Sequence, residues 1–325
     1  MRQSKLNFAA RQWGHLPKFA VVAIFLLGCM PAISHAQQQG QKTFATPEEA
    51  SNALAAATEA NDETAMLAIF GPDGKQVVSS GDDVEDRDMR ANFAKKYVEM
   101  HRLVNEPDGT TSLVIGAENW PTPIPLVHKG NIWYFDTAAG TKEILYRRVG
   151  RNEITTIRVC QELVAAQKDY ASQNHGEYTQ RFFSDAGQHN GLYWKAADGA
   201  PQSPIGPLIA AAVKEGYENI PEGGATPFHG YYFHILTAQG HHAPGGSKAY
   251  IVRGKMTGGF AFVAYPAEYR SSGVMTFIVG SNGVVYEKDL GKNTEAIVKA
   301  MKKFDPDSSW HKSETDQEQS ASDQK

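Results

Sequence analysis

The chain has 325 residues, 41% hydrophobic and 21% charged, with 30 Gly, 16 Pro and 2 Cys. That length allows roughly two domains of 100–200 residues, each able to bury its own core. The ordinary charge fraction and the net charge of −4 exclude a collagen-like chain, a disordered polyampholyte and a disulfide-stapled mini-protein.

Arg2, Lys5, Arg11 and Lys18 form a positive amino-terminal region without an acid. Phe19 to Met30 is an apolar run of about a dozen residues; a stable membrane span needs about 20. Pro31 ends any helix, and Ser34-His35-Ala36 supplies the small-x-small pattern that a signal peptidase cuts. The expectation is a signal peptide over residues 1–36, cleaved after Ala36, and an exported protein, periplasmic or secreted. The alternative is a membrane-anchored lipoprotein, since Leu26-Leu27-Gly28-Cys29 is similar to a lipobox with Cys29 as the acylated residue. Removing residues 1–36 takes four of the 32 basic residues and none of the 36 acidic ones, so the net charge falls to −8. Nucleic acid and anionic lipid both require a basic patch. No nucleic-acid partner is therefore expected, and membrane contact only through an acylated Cys29. Either fate of Cys29 leaves Cys160 without an intrachain partner.

Residues 44–138 read as a first domain. Thr46-Pro47-Glu48-Glu49 is a capping box with proline at the first helical position. Asn61-Asp62 opens a second short helix, and a third is predicted from Asp86 to Met100, with Met89, Phe93 and Tyr97 four apart. Strands are predicted at Ser112–Ala117, Ile124–His128 and Asn131–Asp136. Residues 140–305 read as a second domain. A long helix is predicted over Thr141–Ser172, with Ile157, Cys160 and Val164 on its apolar face and a kink or break at Gly150. A short helix follows at Pro207–Glu215. Strands are then expected at Tyr231–Leu236, Ala249–Arg253, Phe260–Ala264, Val274–Val279 and Val284–Glu287. Asn293-Thr294 caps a last helix with Ile297, Met301 and Phe304 buried. From Asp305 onward the composition predicts a disordered tail, taken as residues 306–325. The fold class is α+β: amino-terminal helices on a curved antiparallel sheet, then a long helix packed on a second antiparallel sheet.

Three resemblances accompany this pattern. The opening TPEEASNALAAATEANDETAMLAIF, closing on NIWYFDTAAG, is similar to the nuclear-transport-factor-two-like cone fold, which implies a pocket beneath a curved sheet. IRVCQELVAAQKDYASQNHGEYTQRF with FAFVAYPAEYRSSGVMTFIVGSNGVVYE is similar to the soluble part of pseudopilins. The prepilin cleavage site and apolar amino-terminal helix of pilins are missing, so a shared hydrophobic spine is not implied. Both halves together, through FATPEEA, IFGPDG, WPTPIPLV, WYFDTAAG, FHILTAQGHHAPGG and VVYEKDLG, resemble an uncharacterised bacterial envelope family, the domain-of-unknown-function group numbered twenty-nine fifty. That resemblance implies an exported protein and carries no catalytic residue with it.

Candidate chemistry is sparse. His229, His234, His241 and His242 fall within fourteen positions and are candidate metal ligands for a metal-dependent hydrolase. Against this, the five-residue step from His229 to His234 faces opposite sides of a strand, and no HExxH or facing acid completes a site. Asp82, Asp83, Glu85, Asp86 and Asp88 lack the order of a calcium loop; Asp83 or Asp86 as helix N-cap explains them better. There is no G-x-S-x-G elbow, and Cys160 on an apolar helix face reads as a small hydrophobe. Arg147, Arg148 and Arg151 read as a solvated helix face, with an anion clamp as the alternative. Trp120-Pro121-Thr122-Pro123-Ile124-Pro125 and the loop Gly191-Leu192-Tyr193-Trp194 read as stiff sheet-edge and loop segments, with a stacking platform as the alternative. Phe93, Tyr97 and Trp133 are the candidates for lining a ligand pocket in the first domain. The sequence points to no cofactor and no catalytic set. The expectation is a non-catalytic binding or assembly module whose partner is another envelope protein, with a small-ligand binder as the alternative.

Overall fold

Thr46 sets the first helix: its hydroxyl accepts the Glu49 N–H at 3.1 Å, and Glu49 reaches back to the Ala45 N–H at 3.0 Å. The computed structural model describes residues 38–196, 202–215, 217 and 226–313. Ala36, Cys29 and the rest of the expected signal segment lie outside the described residues, as does the tail from 314. Helix α1 (Pro47–Glu59) is followed by α2 (Glu63–Phe70), a single turn α3 (Lys75–Val78) and α4 (Asp83–Glu99). The cap of α4 is Asp82, neither Asp83 nor Asp86; it accepts the N–H groups of Val84 and Glu85. Of the predicted apolar face of α4 only Tyr97 is buried, and Met89 is 44% exposed.

Five strands follow: β1 (His101–Asn105), β2 (Thr111–Ile115), β3 (Trp120–Pro121), β4 (Leu126–Lys129) and β5 (Ile132–Phe135). They form one antiparallel sheet in the order β1-β2-β4-β5, with β3 added beside β2. Leu54, Ile69, Phe70, Leu126 and Phe135 pack between helices and sheet, and a smaller cluster of Tyr97, Leu113 and Ile115 adjoins them through Phe93 and Leu103.

Helix α5 (Thr137–Gln173) begins inside this first half. The prediction starts it at Thr141, past a boundary near Gly140, but Asp136 caps it by accepting the Ala139 N–H, and the Thr137 hydroxyl donates to the Phe70 carbonyl at 2.7 Å. Gly140 lies against Ile124 and the Pro123 carbonyl, where a Cβ would collide with both. Gly150 makes no break; α5 runs through it, and a Cβ there would meet nothing within 4 Å.

The rear of α5 packs on a second sheet. After α6 (Gly206–Lys214) come β6 (Tyr231–Leu236), β7 (Ala238–Gln239), β8 (Lys248–Ala249), β9 (Ile251–Val252), β10 (Lys255–Met256), β11 (Ala261–Pro266), β12 (Met275–Gly280) and β13 (Val285–Asp289). Helix α7 (Thr294–Ala300), β14 (Lys303–Phe304) and β15 (His311–Lys312) follow in the described residues. The main sheet is antiparallel in the order β15-β13-β12-β11-β6. All six residues of β11 are buried, and α5 and α7 both contact it, which suits its unbroken apolar composition. The last helix departs from its prediction: Ile297 is 41% exposed, Val298 fills the inward position, and Phe304 is buried from β14 instead. The predicted disorder from Asp305 is corrected as far as Ser313, because β15 pairs with β13 and the Ser313 N–H donates to Val285 O.

The second apolar cluster, around Cys160, Leu163, Phe260, Phe262 and Phe277, is drawn from residues after 156. Polar groups join the halves. Asp82, 1% exposed, accepts hydrogen bonds from the Tyr217 hydroxyl at 2.8 Å and the Gly230 N–H at 2.9 Å. Arg148 donates to the carbonyls of Gln76 and Val77, while Arg151 and Asn152 both bind Glu85. The Asn152 amide also reaches Ser272 O, and the Ser271 hydroxyl donates to Ser79 O.

Gly150→Ala is expected to stabilise the protein by about 0.5–1 kcal/mol through helix propensity alone. Gly140→Val is expected to cost about 1–3 kcal/mol by overpacking. Urea unfolding of the two variants checks both signs. Asp82→Ala removes a cap and strands the Tyr217 and Gly230 donors, and should lower unfolding free energy by about 2–4 kcal/mol in the same assay.

Candidate functional site

The four histidines do not converge. His229 sits on a left-handed turn (φ 48°), with its ring against Phe228 and its Nε2 3.0 Å from Glu215. His234, on β6, stacks on Tyr265 with Nε2 3.2 Å from the phenol oxygen. Loss of hydration there, with Lys299 and Lys302 nearby, holds its pKa below the usual imidazole value. His241 and His242 lie beyond β7, past the other end of β6 from His229. Their rings are 3.6 Å apart, and Asp305 faces them from the chain after β14. This is a facing acid that spacing along the sequence does not reveal, since 63 residues separate it from His242.

The other charged candidates are structural. Asp82, Glu85 and Asp86 form the buried junction, and burial raises the Asp86 carboxyl against the pull of two bonds from the Ser80 N–H and of Arg148 and Arg90. The three arginines part company. Arg147 pairs with Glu143 at 2.7 Å and lies over Trp120, Arg151 pairs with Glu85, and Arg148 is buried among carbonyls. The solvated-face reading therefore fails at Arg148, whose neighbours come from residues 70 positions away and more. Burial pushes the Cys160 thiol up to about 12, the setting of an inert core cysteine.

Phe93, Tyr97 and Trp133 are packed into the core of the first half. The Tyr97 hydroxyl donates to Ser51 and Asn52, Phe93 stacks on the Tyr97 ring, and Trp133 packs beside His128. None of them lines the apolar cavity of the carboxy-terminal half.

That cavity is built from five segments. Helix α5 contributes Val159 and Leu163, and the irregular chain after it contributes Phe182 and Phe183. Helix α6 adds Leu208, Ile209 and Ala212, the approach to β6 adds Pro227 and Phe228, and β6 adds Phe233. A cavity of about 90 Å³ lies between them, and the space out to the open mouth is about 660 Å³. Its walls are almost wholly apolar. The Tyr217 phenol in this wall is held by Asp82, and burial with that neighbouring carboxylate raises its pKa far above the usual value. A second chamber shares Phe183, Ile209 and Tyr217 with the first and opens onto His189 and Trp194, whose rings stack 4.3 Å apart, and onto Asp185, Gln188 and Lys195. The arrangement offers apolar contact inside and hydrogen bonding at the mouth. Among the described residues, its inner walls carry no group fitted for proton transfer or nucleophilic attack. One local signal marks α6 as unusual: GPLIAAAVK has no polar side chain before Lys214, so no face of that helix is made for water.

No curated protein and no solved structure gives a significant match to the chain. A family model described as a protein of unknown function (DUF2950) matches residues 41–313. The matched span opens at Gln41, whose amide ties α2 to β5 through Ile69 O and Phe135 O, and closes at Ser313 beside β13. It thus takes in both sheets, the helix between them and the cavity, and the chain belongs to the DUF2950 family.

Proposed function

We propose that the protein is exported into the cell envelope and works there as a non-catalytic binding module that houses an apolar ligand in the cleft between α5, α6 and β6. The cleft carries this reading. Phe182, Phe183, Leu208, Ile209, Phe228 and Phe233 are only partly buried although their surroundings are apolar. Each would gain about 25 cal/mol for every Å² that a ligand covers. The described inner walls are apolar side chains, which suit retention of a ligand. The ligand site thereby moves from the first half, where Phe93, Tyr97 and Trp133 suggest it, to the second. Export rests on the positive, apolar and small-x-small succession that ends at Ala36.

An environment-sensitive apolar dye such as N-phenyl-1-naphthylamine is expected to bind the native chain at one site. Ile209→Trp, which fills the cleft, and Leu208→Asp, which makes it polar, should each weaken uptake about tenfold or more. Equal uptake by the parent and both variants would refute the cleft as the binding site. In a fractionated bacterial host, intact mass is expected to place the mature amino terminus at Gln37 outside the cytosol. An acylated Cys29 would select the tethered form, and an unprocessed cytosolic chain would overturn export.

A further inference from the structure

We propose that His241, His242 and Asp305 form a binding site for a divalent transition ion of the zinc class. One nitrogen from each imidazole and one carboxylate oxygen of Asp305 all lie within 4.8 Å of one another. Around a tetrahedral zinc ion, donors about 2.1 Å from the metal stand about 3.4 Å apart. Both imidazoles are exposed, so small rotations about their own χ angles close the set.

The support around these side chains argues for a built site. Parallel pairing of β14 with β7 sets Phe304 opposite Gln239, and the Gly240 N–H donates to Phe304 O at 2.9 Å. Phe304 is buried in the second core, so the next residue, Asp305, is placed from the inside of the molecule. Its carboxylate lies flat against Gly240, in space that any Cβ at that position would fill. The histidine turn is fixed from the other side. The Gln239 amide, 6% exposed, donates to Pro244 O at 3.0 Å and Gly246 O at 2.5 Å, and its oxygen accepts from Tyr250 at 3.1 Å. Asp305 accepts the His242 N–H at 2.9 Å, so acid and turn are already locked together before any ion arrives.

Two imidazoles and one carboxylate suit borderline ions. Calcium and magnesium, which take six or more oxygen ligands, are poorly served. The proposal concerns binding alone and is independent of the apolar cleft.

The test is a titration of the full chain, without an affinity tag, with Zn(II) against a chromophoric chelator, with Ca(II) and Mg(II) in parallel. One equivalent of zinc per chain is expected, with a higher melting temperature in its presence. His241→Ala and His242→Ala should each weaken binding about tenfold or more and abolish the thermal shift. His229→Ala and His234→Ala should leave both unchanged. Asp305→Asn, which keeps an oxygen to accept the His242 N–H, separates loss of a ligand from loss of the turn and should also weaken binding. Failure to bind zinc, or equal binding by the double variant lacking both His241 and His242 side chains, overturns the site.

Discussion

A carboxylate withdrawn from water must be met by donors, and at Asp82 they come from three stretches of chain. Val84 and Glu85 supply the opening amides of α4, Tyr217 supplies a hydroxyl, and Gly230 supplies the amide just ahead of β6. One side chain therefore starts a helix in the first half, fixes the entry to the second sheet and pins a wall of the apolar cleft. Charge-assisted bonds of this kind are among the stronger polar contacts in a protein, and removing their acceptor leaves buried donors unpaired.

Around that point the molecule is joined by polarity where each half is held by apolar packing. Helix α5, about 55 Å long from its 37 residues, crosses the join with Arg148, Arg151 and Asn152 turned into it. Burial lowers the Arg148 pKa, while Asp86 and Glu85 oppose the shift. A buried polar join costs desolvation and gives directional contacts in return, so the angle between helix and sheets is specified rather than left to apolar surfaces that tolerate sliding.

Much of the architecture was legible because its signals are local. Tyr231–Leu236 is a strand at its predicted bounds, and α6 begins one residue from its predicted start, since alternation and apolar periodicity announce both. The start of α5 was misplaced because Thr137-Ala138-Ala139-Gly140 carries little periodicity, and the Asp136 cap and the Thr137 bond to Phe70 depend on tertiary placement. Strands β14 and β15, two residues each, are too short to show any period. The histidine pair was visible and its acid was not, because Asp305 is brought to it by a parallel pairing between distant segments. The cleft was hidden for the same reason: its wall is shared among five pieces of chain, none of them a motif.

Strand β15 has a consequence for the intact surface of the protein. By pairing Lys312 with Tyr286 and His311 with Glu287 it occupies hydrogen-bonding groups along the outer side of β13. A shortened chain ending at Asp305 would lose this cover together with Trp310, which packs on the second core. The freed row of amides and carbonyls would then be open to strand-to-strand pairing with other copies. The pairing of β15 therefore covers part of an edge that hydrophilic composition alone does not disclose.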